Sequence, residues 1–179
     1  MSSTSTNFLK NYFLEKMIST RLYLLKNQGE VTDFFNKISS VNKLLVIIPR
    51  DRAEEVYARQ FVTRIHEVFE SAKFSTLDVC SLRKSDANWL GVPNNAFLTK
   101  IQDEKFDLVI DVNSHHDHLC TFLAVFTNAP LRMHFTEGKF DKFYNIHIRS
   151  DSSTRTEIRF KNMINYLAKI RKMSKLKAS

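Results

Sequence analysis

Short apolar runs alternate with amphipathic segments along most of the chain. The clearest run is Lys43–Ile48 (KLLVII), which is continuously apolar after its first residue. Such a run is typical of a strand whose two faces are both covered, as in a parallel sheet. It is followed by a segment, residues 52–72, whose apolar side chains recur at helical spacing. The pattern therefore predicts a strand that leads directly into a helix.

The same alternation continues towards the end of the chain. Further strands are predicted over residues 74–80, 106–112, 131–135 and 144–149. Further helices are predicted over 7–27, 31–38, 93–104, 119–128 and from 154 onwards. Strands alternating with helices predict parallel pairing, with right-handed crossovers that place helices on both faces. We therefore expect one Rossmann-like, doubly wound α/β domain with a mostly parallel five-stranded sheet over residues 41–179. We also expect a helical segment, residues 1–40, to pack on this domain.

Composition places this domain among ordinary globular proteins. The chain has 179 residues, 43% of them hydrophobic, and no run of 18 apolar residues that could span a membrane. Cys80 and Cys120 are 40 positions apart and show no metal-ligand spacing. We interpret them as two reduced, buried thiols and expect a cytoplasmic protein.

Glycine usage narrows the possible ligands. The chain has three glycines, Gly29, Gly91 and Gly138, and none follows a predicted strand into a helix. Dinucleotide fingerprints and P-loops need glycines there, because their backbone must approach a phosphate closely. The sequence therefore predicts neither kind of loop, and we expect no cofactor.

The candidate ligand crevice can be placed if the strand order is 2-1-3-4-5. In such a sheet ligands bind outside the carboxyl ends of the strands, where the order reverses. This point brings the turn after the first strand towards the turn after the third. The predicted crevice residues are Arg50, Asp51, Arg52, Asn113, Ser114, His115, His116, Asp117 and His118.

Two interpretations of these turns stay open. Two arginines, an acid and a histidine cluster could bind an anion or transfer protons, with Asp51 and His115 as the candidate catalytic groups. Alternatively, Ser114 or Asp117 caps a helix and the histidines are solvated. Metal binding by His115, His116 and His118 is not expected, because neighbouring turn residues point apart.

Positive charge is concentrated at the end of the chain. Of the net charge of +8, residues 155–179 carry +7, which leaves +1 for the first 154 residues. Such a cluster attracts polyanions, although cations also favour a helix C-terminus without any ligand. The predicted polyanion-binding residues are Lys169, Arg171, Lys172, Lys175 and Lys177.

Two family resemblances accompany these patterns. The segments Asn88-Trp89-Leu90-Gly91, Phe106–Ile110 and Ala129-Pro130-Leu131-Arg132, and more weakly Asn165-Tyr166-Leu167, resemble a family of short uncharacterised bacterial proteins of the Bacteroidetes type. The strand FDLVIDV, the helix after it and residues 128–133 are also similar to the N-terminal, acceptor-side domain of heptosyltransferase-type glycosyltransferases. That resemblance implies a Rossmann-like half-enzyme in which Asp51 matches the base, without the family's glycine and without the sugar-nucleotide half.

Three functional hypotheses follow. The first is a non-catalytic binding or accessory protein, which could contact a protein partner through the N-terminal helix. The second is an RNA- or ribosome-associated protein that binds through the basic last helix. The third is a small glycosyltransferase-like enzyme that needs a partner chain.

Overall fold

The apolar run Lys43–Ile48 forms the central strand β1. The computed structural model describes residues 3–24, 33–83, 85–89, 91–135, 137–138, 140–148 and 155–178. The other strands are β2 (Lys73–Asp78), β3 (Leu108–Asp111), β4 (Leu131–His134) and β5 (Ile146–His147). Within the described residues these five strands pair in parallel in the order β2-β1-β3-β4-β5, which is the order assumed for the candidate crevice.

Helices cover both faces of this sheet, as a buried parallel sheet requires. They are α1 (Ser3–Leu24), α2 (Phe34–Ser39), α3 (Arg52–Val68), α4 (Asn95–Asp103), α5 (His118–Phe126) and α6 (Thr156–Ala178). Successive side chains of a strand point to opposite faces. Leu44, Val46 and Ile48 therefore pack with α2, α3 and α6, whereas Leu45 and Ile47 pack with α1, α4 and α5. The doubly wound α/β fold is confirmed.

Several element ends differ from the prediction. Strand β2 ends at Asp78 rather than Cys80, because the Asp78 carboxylate accepts the N–H of Cys80 at 2.8 Å and turns the chain into a short 3₁₀ helix. Cys80 is consequently exposed, so the prediction of two buried thiols is wrong for Cys80 and right for Cys120. The predicted starts at residues 31 and 154 lie outside the described residues.

Helix ends show how a glycine-poor chain makes its turns. Lys105 and Asn128 adopt the left-handed conformation, with φ of 50° and 59°, just after α4 and α5. Glycine usually fills this position, and asparagine is its commonest substitute. The turns into β3 and β4 are therefore formed without glycine.

The described parts of the N-terminal segment belong to the same packed body. Helix α1 packs on α5 through the buried Ile18, and α2 packs on α6 through Ile38. Among the described residues, no helix combines the length and the hydropathy needed to cross a bilayer.

Asp107 fastens the amino-terminal edge of the sheet. Its carboxylate accepts the N–H groups of Asn42 and Lys43, both at 2.9 Å, and so ties the entry of β1 to that of β3. Hydrogen bonds to a charged group contribute more than neutral ones. We expect Asp107→Ala to lower the free energy of unfolding by about 2 kcal/mol in urea titrations. Asp103→Ala, which removes an exposed carboxylate at the end of α4, is the matched control, and equal effects of the two substitutions would contradict this role.

Candidate functional site

The turns after β1 and β3 meet at the carboxyl edge of the sheet, as the strand order predicted. The backbone N–H of Arg50 donates to Asn113 Oδ1 at 3.3 Å, and Arg50 Nη1 donates to Asp117 Oδ2 at 3.0 Å. Burial opposes the charge of Arg50, but the ion pair with Asp117 outweighs it and raises the pKa of Arg50. The guanidinium is therefore already paired within the protein.

A crevice of about 60 Å³ opens beside this ion pair. Helix α1 forms one wall and the start of α5 forms the other. Its lining residues are Glu15, Ile18, Arg50, His116, Asp117, His118 and Leu119. The crevice therefore combines predicted turn residues with two residues of the N-terminal helix that the sequence did not point to.

Five of the nine predicted crevice residues do not line it, namely Asp51, Arg52, Asn113, Ser114 and His115. The Asp51 carboxylate caps α3 by accepting the N–H of Ala53 at 2.8 Å. Arg52 is directed along α3 and donates to Glu55 at 2.8 Å. His115 is exposed. The side chains of Asp51, Arg52 and His115 therefore have local or solvent-facing roles.

Ser114 lies on another side of the turn. Its backbone N–H donates to Glu54 Oε2 at 3.3 Å. Its buried hydroxyl has no hydrogen-bond partner among the described residues and lines a gap of about 10 Å³ against Phe135 and Phe160. The helix cap that Ser114 or Asp117 was expected to provide comes from Asp117, whose Oδ1 accepts the N–H of Cys120 at 2.9 Å.

A buried polar network extends from the end of β3, and the sequence did not reveal it. Asp111 accepts the side-chain N–H of Asn113 at 2.6 Å and the hydroxyl of Tyr144 at 2.6 Å, and that hydroxyl lies 3.1 Å from Thr121 Oγ1. Burial raises the pKa of Asp111 to about 6, although both hydrogen bonds oppose this shift. Burial, together with Asp111, also raises the pKa of Tyr144 well above its usual value.

Two histidines complete this edge of the sheet. The ring of His134 stacks on Tyr144 with centroids 4.1 Å apart, and its Nε2 lies 2.8 Å from His147 Nδ1 and 3.4 Å from Asp141 Oδ1. Burial, and then His147, lower the pKa of His134 to about 4. At neutral pH His134 is therefore neutral, and its contact with Asp141 is not an ion pair.

Histidines are strongly concentrated at this edge. Five of the six in the chain follow or end β3, β4 and β5, namely His115, His116, His118, His134 and His147. His134 and His147 are the last residues of β4 and β5. The rule that ligands bind at the carboxyl ends of strands applies to those two strands as well, so it could have identified both residues from the sequence.

The predicted polyanion-binding residues of α6 divide into two groups. Lys169 and Lys172 are exposed. Arg171 is 5% exposed, donates to the carbonyl of Ile38 at 3.0 Å and lies 4.4 Å from the ring centroid of Phe69. Burial lowers its pKa. Arg171 therefore joins α6 to α2 and is no part of the exposed basic surface. The side chains of Lys175 and Lys177 lie outside the described residues.

The outer side of α1 exposes large apolar side chains. Tyr12, Phe13, Tyr23 and Leu24 are 50–82% exposed. Helical geometry places these four within about 120° of one another around the helix axis. The contact with a protein partner through this helix stays a prediction.

Comparisons with known proteins identify the family. The model of a family of unknown function (DUF6913) matches residues 10–170. The chain belongs to this family. The expectation of an uncharacterised family is therefore confirmed, and the likeness to heptosyltransferases stays a prediction. No curated protein matches the sequence.

One solved structure is similar to this DUF6913 member. It is FerB, a flavoenzyme NAD(P)H:(acceptor) oxidoreductase from Paracoccus denitrificans, at 8% sequence identity and a TM-score of 0.42. The similarity covers 75% of this chain and 95% of FerB.

Substitution of Asp111 tests the buried network. Because the pKa of Asp111 is raised to about 6 in the fold, its stabilising contribution is complete below the unfolded value near 3.8 and is lost as the pH rises through 6. The amide introduced by Asp111→Asn would accept from Asn113 and donate to Tyr144, but it carries no charge. We expect the stability of Asp111→Asn relative to the parent to increase by about 2 kcal/mol between pH 4 and pH 7.

Urea unfolding at several pH values measures this difference. Asp103→Asn controls for the loss of one negative charge at an exposed site of the same protein. Parallel pH profiles for Asp111→Asn and the parent would show that Asp111 has no raised pKa.

Proposed function

We propose that the protein is a non-catalytic binding protein that holds a small, positively charged organic ligand in the crevice beside Arg50. The proposal depends on one observation, which is the charge balance of the lining. Glu15 and Asp117 contribute two carboxylates, and Arg50, the one arginine among the described lining residues, is already paired with Asp117. The crevice therefore carries excess negative charge.

The same arrangement disfavours a nucleotide. A phosphate at a switch point is usually bound by the N-terminus of the helix that follows. Here Asp117 occupies that position, because it accepts one N–H of α5 and one N–H of Arg50. An incoming phosphate would meet this carboxylate at close range and be repelled.

The shape of the crevice favours a small amine. About 60 Å³ accommodates a group of a few heavy atoms, such as an ammonium and the carbon next to it. Ile18 and Leu119 supply apolar walls for a short hydrocarbon part.

A binding role, rather than a catalytic one, agrees with how the reactive side chains are used. Asp51, the proposed glycosyltransferase-type base, is engaged as the cap of α3. Cys120 is buried, and burial raises the pKa of its thiol well above the usual value. The glycosyltransferase-like enzyme stays a hypothesis that would require Asp51 to leave the cap.

Thermal unfolding of the full chain with a ligand panel tests this proposal. We expect short amines such as ethanolamine, putrescine and agmatine to raise the Tm by about 5–10 °C at a hundredfold excess over Kd. We expect no such rise with ATP, NAD, FMN or UDP-glucose. Glu15→Gln should abolish the rise without changing the fold, because Glu15 is exposed on α1.

Glu67→Gln is the matched control, since it removes an exposed carboxylate from α3, outside the crevice. Two outcomes contradict the proposal. One is stabilisation by a nucleotide, and the other is an amine-dependent rise that persists in Glu15→Gln.

A second candidate function, RNA binding, is supported by the outer face of α6. Lys161, Lys169 and Lys172 are exposed. At 3.6 residues per turn they lie within about 80° of one another around the helix axis. A stripe of cations on a helix that has no acidic residue after Glu157 attracts a phosphate backbone.

The salt dependence of binding tests the second function. Each phosphate contact contributes a slope of about −0.7 to log affinity against log salt for single strands. Lys169→Ala combined with Lys172→Ala should therefore weaken binding and flatten the slope by roughly 1.4, measured by fluorescence anisotropy with a single-stranded RNA. Lys100→Ala combined with Lys105→Ala, on and just after α4, is the control pair. An unchanged slope in the α6 variant excludes this function.

A further inference from the structure

Two imidazoles and one carboxylate converge at the ends of β4 and β5. His134, Asp141 and His147 each offer one ligand atom, and these three atoms all lie within 4.8 Å of one another. We propose that His134, Asp141 and His147 form a binding site for one divalent transition-metal ion. This metal site is separate from the crevice beside Arg50 that is proposed to bind an amine, and neither proposal depends on the other.

Two of the three separations between ligand atoms are close to those of a metal site, and the third, between Asp141 and His147, is at most 4.8 Å. Zinc binds nitrogen and oxygen at about 2.0–2.2 Å, so tetrahedral ligands lie roughly 3.3 Å apart. His134 Nε2 lies 3.4 Å from Asp141 Oδ1 and 2.8 Å from His147 Nδ1. A shift of about half an ångström at the exposed His147 therefore brings the two nitrogens to a tetrahedral separation.

The local structure already holds the three ligands in place. His134 and His147 are paired in register across β4 and β5, so their side chains emerge next to each other. The ring of His134 is fixed by its stack on Tyr144. The N–H of Gly138 donates to Asp141 Oδ1 at 2.9 Å and orients the carboxylate. Such supporting contacts are typical of metal ligands, because they fix the ligand geometry before the ion arrives.

Steric contact and backbone conformation both require glycine at position 138. A Cβ added there would lie 2.4 Å from His116 Nε2, and its φ of +154° also disfavours other residues. The loop that holds Asp141 therefore packs tightly against His116, and the ring of His116 lies 5.9 Å from that of His134, centroid to centroid. This packing further restricts where Asp141 can lie.

The hydrogen bond between the two imidazoles has to open when an ion binds between them. Metals bind the bare nitrogen of a neutral imidazole. Without metal, one of the two facing nitrogens carries a proton and donates to the other. Coordination moves that proton to the far nitrogen of the same ring, so the site takes up the ion by a change of tautomer with no net loss of a proton.

The ligand set selects the class of ion. Imidazole nitrogen suits zinc, cobalt, nickel, copper and iron, whereas magnesium and calcium prefer all-oxygen sites. Three protein ligands leave at least one coordination position for water or another small ligand. His147 is exposed and Asp141 is partly exposed, so this position faces solvent.

Metal titration of the purified full chain, after treatment with EDTA, tests the site. We expect one Co²⁺ per chain, seen by visible absorption of the bound ion, and displacement by Zn²⁺ but not by millimolar Mg²⁺. His147→Ala and Asp141→Asn should each weaken Zn²⁺ binding at least tenfold in calorimetry. Both residues lie at the surface, so the variants avoid the buried His134.

His115→Ala is the matched control, because it removes an exposed histidine from the same edge of the sheet. We expect it to bind Zn²⁺ like the parent. The proposal is overturned if the parent binds no Co²⁺ or Zn²⁺, or if His115→Ala loses as much affinity as His147→Ala. Amine binding is measured on the EDTA-treated chain, with Glu15→Gln as its control. If the amine still binds when no metal does, the metal site fails and the crevice proposal stands.

Discussion

Parallel pairing of β1, β3, β4 and β5 is the constraint on which the rest of this molecule depends. In a parallel sheet every strand ends at the same edge, so residues far apart in sequence meet there. Arg50, Asp111 and His134 follow or end three different strands, yet all three lie at this edge. The helices that bury both faces leave this edge as the place where polar side chains collect.

At its strand-to-helix turns this chain presents polar side chains, whereas dinucleotide-binding domains present glycine-rich backbone to the ligand there. With three glycines in 179 residues, its strand-to-helix turns cannot wrap a phosphate. Asp117 takes the position at the start of α5 that a bound anion would occupy, and Arg50 balances its charge. The edge is consequently rich in carboxylates and imidazoles. This chemistry favours cations, and both proposed ligands, an organic amine and a transition-metal ion, belong to that class.

Buried polar groups give this edge its rigidity. Asp111 is 4% exposed, and Asn113 and Tyr144 donate hydrogen bonds to its two oxygens. Tyr144 in turn supports the ring of His134. Satisfied buried networks fix a unique arrangement, because an unpaired member would cost several kcal/mol. Asp111 and Tyr144, which are at most 5% exposed, therefore hold the ring of His134 next to the exposed His147.

The sequence by itself determined the succession of strands and helices and the two-faced burial of the sheet, because these follow from local hydrophobic periodicity and from the handedness of crossovers. The meeting of the turns at Arg50 and Asp117 followed only once the order 2-1-3-4-5 was assumed, and the tertiary structure decided that order. The sequence also located the basic helix. Only the tertiary structure decided which charged side chains are exposed, because their pairing depends on distances between elements. Arg171, for example, donates a hydrogen bond to the carbonyl of Ile38, 133 positions away, and so does not belong to the exposed basic surface. The grouping of His134, Asp141 and His147 likewise depends on a short strand and a 3₁₀ turn whose positions are set by packing. Periodicity carries no information about such contacts.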